Sequence, residues 1–148
     1  MGGNYQDFRD LMAYKKAFEQ ASCIFDVTIG FPHEEKYSLT DQIRRSSRSV
    51  CSNLAEAYRK RTYHKHFLLK MTDCLGENSE TLVWLDFAIK CKYISETDYN
   101  KRIEINEEVG KLLSYMLNNP EIWSCTTINY RLFHVQISDT SQAVYSAV

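Results

Sequence analysis

The sequence predicts an all-α protein: an antiparallel up-down four-helix bundle with a non-helical or weakly structured C-terminal tail. Three observations carry this. Apolar residues recur at three- and four-residue steps in four separate segments, which is the helical period. The joints between those segments are short, so consecutive helices run antiparallel. The chain of 148 residues holds only 5 Gly and 2 Pro, few for the tight turns of a sheet protein. That length is one domain's worth and buries a core without metal or disulfide staples. The bundle spans residues 1–118 and the C-terminal extension 119–148.

The first helix is predicted over Tyr5 to Ile29, with Phe8, Leu11, Met12, Phe18, Ala21, Phe25 and Ile29 at helical steps. Gly30 and Pro32 end it. Ser38 or Thr40 would cap the second helix, Leu39 to Arg61, with Leu39, Ile43, Val50, Leu54, Ala57 and Tyr58 in one arc. Its many Ser and Ala residues would let neighbours approach closely, which suits a helix in the middle of the bundle. The third helix runs from Tyr63 to Lys92 on a stripe of Phe67, Met71, Cys74, Leu75, Asn78, Leu82, Leu85 and Ile89. Gly76 inside it costs roughly 1 kcal/mol relative to Ala and is expected to mark a close helix contact. Ser95, with Asp98 three residues on, caps the fourth helix, which runs to Leu117. Asn118, Asn119 and Pro120 stop it. The remaining tail is β-branched and aromatic without a helical period.

Composition excludes several classes. A hydrophobic fraction of 44% and a charged fraction of 25% are those of a soluble globular protein. No apolar run of about 18 residues is present, so no membrane span is expected. The N-terminus has neither the basic nor the apolar region of a signal peptide. The 5 cysteines are odd in number and form no CxxC pair. Buried free thiols in a reducing compartment follow, which places the protein in the cytoplasm.

Signals for catalysis are weak. No Glu is followed three residues later by His, the pairing that a di-metal bundle would need. Glu77 and Glu80 share a face, but two carboxylates alone are more often a solvated or hydrogen-bonded pair than a metal site. His64 and His66 diverge by roughly 200° on a helix and cannot grip one ion together. His33 and His134 have no neighbours in sequence to work with. There is no nucleophile elbow, phosphate loop or dinucleotide fingerprint. We therefore expect no catalytic residue, no metal, no cofactor and no enzyme.

The informative stretch is LTDQIRRSSRSVCSNLAEAYRKR, Leu39 to Arg61, in a chain whose formal net charge is -1. On a helical wheel Arg44, Arg48, Ser52, Ala55 and Arg59 fall on one strip, with Arg45 at its edge. The strip is rotated from the apolar arc by roughly a third of a turn or more, so packing and cationic faces are separate. Lys60, Arg61 and Lys65 carry the charge across the joint into the third helix. Guanidinium forks match phosphate oxygens, and small residues between them admit a backbone. The bland alternative is a solvated or subunit-pairing face, with Glu34, Glu35, Glu107 and Glu108 as acids that would pair with it. The scarcity of acid favours a polyanion: between Gln42 and Lys70 only Glu56 is acidic.

These residues also carry a resemblance. Phe31-Pro32, Glu35, Tyr37-Ser38-Leu39, Gln42 to Arg45, Ser49-Val50 and Asn53 to Ala57 follow in the order of a known signature. Asp73 to Ile94 matches its third-helix pattern. The chain resembles the 23S rRNA intervening sequence proteins, which are four-helix bundles, over about Phe8 to Leu117. It departs at Ala57, where Gly is usual, and at Leu54, where Ile is common. The tail after Pro120 lies outside the pattern. Relatives include the accessory protein of diversity-generating retroelements, a pentamer that partners a reverse transcriptase and binds nucleic acid. The resemblance thus implies a homopentamer with a basic channel or rim.

The expectation is a non-enzymatic homo-oligomer that binds RNA or DNA backbone through Arg44, Arg45, Arg48, Arg59, Lys60, Arg61 and Lys65. The rival is a protein adaptor whose basic face docks an acidic partner such as a reverse transcriptase.

Overall fold

The computed structural model describes residues 7–123. A 3-10 turn, Phe8–Asp10, leads into α1, Met12–Thr28. A second short turn, His33–Glu35, precedes α2, Leu39–Lys60. Then come α3, His64–Lys90, and α4, Glu96–Asn118. The four helices pack in a square, each against the helices before and after it in the chain, with α1 closing on α4. Cross-helix pairs give the directions. Arg45 meets Glu80 while Asn53 meets Lys70 further along, so α2 and α3 are antiparallel. Lys16 meets Glu108 while Gln20 meets Arg102, so α1 and α4 are antiparallel too. The predicted up-down bundle is the observed one.

The core runs the length of the bundle. Ile43, Val50, Leu54, Ala57 and Tyr58 of α2, Phe67, Met71, Cys74 and Leu85 of α3, and Val109, Leu113 and Met116 of α4 are buried in it. Polar groups interrupt it midway and are paired across helices. The Asn78 side-chain amide donates to the Asn106 carbonyl at 3.1 Å, and Asn106 returns the bond at 3.2 Å. Thr81 donates to Ser46 at 2.9 Å. Buried amides and hydroxyls that lose such partners are costly, so this layer fixes the helices relative to one another.

The structure corrects two expectations. In α1 the aromatic stripe is not the packing face. Phe18 is 57% and Ile29 67% exposed, while Ala13, Ala17, Gln20, Ala21, Ile24 and Thr28 are buried. Small residues bring α1 close to its neighbours, while Phe18 and Phe25 are turned outward. Gly76 does not mark a close contact within the chain either: a Cβ placed there meets nothing within 4 Å. The close approach is at Gly110, where a Cβ would lie 3.3 Å from the Asn78 amide nitrogen.

Helix ends mostly follow the sequence. Ser95 accepts from the Asp98 backbone N–H at 3.0 Å and caps α4. Ser38 stands at the N-cap of α2 but does not cap it; its hydroxyl donates to Glu35. The Glu35 carboxylate takes the Leu39 N–H at 3.2 Å instead. After Asn118 the chain makes one more helical turn, α5, Pro120–Trp123, with Pro at its first position, where no N–H is needed. The rest of the predicted tail, 124–148, with Cys125 and His134, lies outside the described residues. Among the described residues no helix is long and apolar enough to cross a membrane.

Candidate nucleic-acid interface

α2 is held in place by its apolar arc, and this sets where its cations point. Asp41, Arg44, Arg45, Arg48, Ser49 and Ser52 line an open depression of about 510 Å³ on its outer face. The arginines in it are not equivalent. Arg44 donates from Nε to Thr28 Oγ1 at 2.7 Å, and its guanidinium lies 4.7 Å from the centre of the Phe25 ring. Arg48 approaches the same ring at 5.8 Å. α1 positions Arg44 through a ring and a hydroxyl and Arg48 through the ring, and neither group neutralises charge.

Arg45 is claimed by α3. Its Nη1 lies 3.4 Å from Glu77 and its Nη2 bonds to Glu80. Glu80 also accepts from the Trp84 indole at 3.1 Å. Partial burial raises the Glu80 pKa, but the bonds from Arg45 and Trp84 outweigh it and hold the carboxyl below its ordinary value. The charge of Arg45 is thus matched inside the chain.

The second cluster sits where α2 ends. Arg61 stacks over the Tyr58 ring at 3.8 Å and donates from Nη1 to the Tyr58 carbonyl oxygen. Arg59 approaches the same ring at 6.0 Å. Lys60 lies 3.6 Å from Glu56. Glu56 is held more closely by Lys70, at 3.0 Å, and Lys70 lowers its pKa most. Lys65, on the first turn of α3, is exposed. Among the described residues Arg44, Arg48, Arg59, Arg61 and Lys65 form no ion pair. About 22 Å of helix separates Arg44 from Arg59, so the structure makes two basic clusters on one rod.

Beside the first cluster an open groove of about 600 Å³ runs between α1 and α2. Phe8, Tyr14, Phe18, Ala21 and Phe25 form its apolar wall, and Arg48, Ser52 and Cys51 line its α2 side. Burial pushes the Cys51 thiol up to about 11, so it is not a thiolate at neutral pH. Cys74, deeper in the core, is pushed up to about 12, again mainly by burial. No group of three or more His, Cys, Asp and Glu among the described residues is placed to hold a metal ion. His33, His64 and His66 are exposed.

Sequence reasoning missed Phe25 as the seat of Arg44 and Arg48. Its signal was available: Phe18 and Phe25 stand seven residues apart, a second stripe beside the alanines.

Three comparisons bear on this arrangement. The family model of the 23S rRNA-intervening sequence proteins matches residues 9–115. Five solved chains match, among them the 1.70 Å crystal structure of a protein with unknown function from the S23 ribosomal protein family of Bacteroides thetaiotaomicron VPI-5482. That structure is 28% identical, covers 74% of this chain and 98% of its own, and superposes with a TM-score of 0.67. No curated protein matches.

Proposed function

The chain belongs to the 23S rRNA-intervening sequence protein family, and from that premise we propose a non-enzymatic homo-oligomer, a pentamer, that binds RNA or DNA backbone. Arg44 and Arg48, and Arg59, Arg61 and Lys65 at the α2–α3 joint, provide the free charge. Arg45 and Lys60 add less, because carboxylates already meet them. The single observation that carries the proposal is the way Arg44, Arg48 and Arg61 are held. Rings, a hydroxyl and a carbonyl fix them in place without cancelling their charge. Contacts would be to phosphates, and so largely independent of base sequence.

Assembly is supported by apolar residues left outside the bundle. Leu69, Val83 and Phe87 on α3 are all more than 40% exposed. Gly76, on the outer side of α3, has open space around it. A ring would repeat the basic clusters, and multivalency would raise the affinity of a modest patch.

The test is binding of a labelled structured RNA and a DNA duplex across a salt series. Wild type should bind steeply with falling salt, and Arg44→Glu/Arg48→Glu should lose at least tenfold while keeping its helix content and mass. Light scattering should give about five subunits; a monomer at micromolar concentration contradicts the ring. If wild type binds neither probe at low salt, the rival holds: an adaptor for an acidic protein partner, such as a reverse transcriptase. The aromatic groove beside Arg48 favours that second reading, because it would take an apolar side chain next to an acidic one.

A further inference from the structure

We propose that Tyr63, in the α2–α3 joint, is a base-stacking platform, so that the ligand of the basic face is a single strand or loop with unpaired bases. This rests on the nucleic-acid reading and narrows its substrate class.

Tyr63 is 67% exposed in a joint whose backbone is fixed. Its N–H donates to the Lys60 carbonyl at 2.8 Å, and its own carbonyl accepts from the Phe67 N–H at 3.0 Å. It therefore holds the N-cap position of α3, where the turn fixes its backbone. An exposed aromatic ring on a rigid turn contributes little to folding. Its ring meets His66 in a T-shaped contact, with centroids 6.0 Å apart, which leaves most of the ring uncovered.

The residues around it are cationic in sequence on both sides: Arg59, Lys60 and Arg61 before, Lys65 after. Arg61, two residues before Tyr63, is anchored on Tyr58 and keeps its charge in this joint. Cations for the phosphates and an aromatic face for the bases are the two parts of a single-strand site. A duplex stacks its own bases and has no use for the ring.

Other exposed rings near α2 differ. Tyr37, at the opposite end of α2, is 82% exposed, but Lys36 lies over its ring at 5.0 Å. Phe25 carries Arg44 and Arg48. Tyr63 has no cation over its ring among the described residues.

The experiment uses the full chain, a labelled 12-nucleotide oligo-U, and the same strand with abasic positions, which keeps the phosphates and lacks the bases. Wild type should bind the base-bearing strand roughly tenfold tighter, the effect of stacking about one base. Tyr63→Leu should bring the two strands within twofold of each other without weakening the abasic complex. Tyr63→Phe should keep the preference, and Tyr37→Leu should not change it. Equal wild-type binding to both strands overturns the platform and leaves phosphate binding standing. Loss of the preference in Tyr37→Leu, or its survival in Tyr63→Leu, also overturns it. If wild type binds neither strand, the nucleic-acid reading falls, and the platform with it.

Discussion

Along the α2–α3 seam cations meet carboxylates: Arg45 against Glu77 and Glu80, Lys70 against Glu56. Along the α1–α2 edge they do not: Arg44 and Arg48 meet Phe25 and Thr28. The two edges also differ in packing. Among the described residues α2 and α3 share the most extensive contact, and α1 and α2 leave an open groove. The same residue type, one position apart on one helix, is thus structural at Arg45 and available at Arg44. What separates them is the neighbouring helix, and charge density along α2 alone does not distinguish the two.

The largest effect that would break this comparison is in packing. Met71 is fully buried in the core, and Met71→Ala should cost about 2–5 kcal/mol in urea unfolding. Phe18→Ala, on the groove wall, should cost less than about 0.5 kcal/mol. Comparable losses at both sites would mean that the groove is part of the core.

A smaller effect concerns the two mid-helix glycines. Gly76→Ala should stabilise the monomer by up to about 1 kcal/mol, since nothing lies within 4 Å of the added methyl. Gly110→Ala should gain nothing or lose stability, because Asn78 must move. If Gly76→Ala instead lowers the mass seen by light scattering, the outer face of α3 is a subunit contact.

The smallest effect is in pH. Glu80 and Glu35 both lie below their ordinary value of 4.5. Arg45 and Trp84 outweigh burial at Glu80, and bonds from Ser38 and the Leu39 N–H act at Glu35. A carboxyl with a depressed folded pKa stabilises the fold above the unfolded value. That stability is lost as pH falls through the folded one. The urea midpoint should therefore be flat from pH 7 to pH 5 and decline below about 4.5. Glu80→Gln should flatten part of that decline.

The bundle was legible because helical periodicity is local. The α2 arc was read from successive steps of one or two turns, and the Ser95 cap from residues within one turn. The α1 face was misread because bulk suggested burial. Ala13 and Ala17 carry a weaker hydrophobic signal than Phe18 and Phe25, yet are buried where the rings are exposed. The α2 cap was misassigned because Glu35 reaches it from a preceding turn. The pairing of Arg45 was not legible at all. It depends on which face of α3 turns toward α2, a fact held in three dimensions over a separation of 35 residues.

The most direct measurement is the salt slope of structured-RNA binding for wild type, Arg44→Gln/Arg48→Gln and Arg45→Gln. Each phosphate contact contributes about 0.7–0.9 to the log–log slope. The double variant should lose about 1.5 units, and Arg45→Gln should stay within about 0.3 of wild type. Equal slopes in wild type and the double variant, or a larger loss from Arg45→Gln, would contradict the division of α2 into a structural and an available edge.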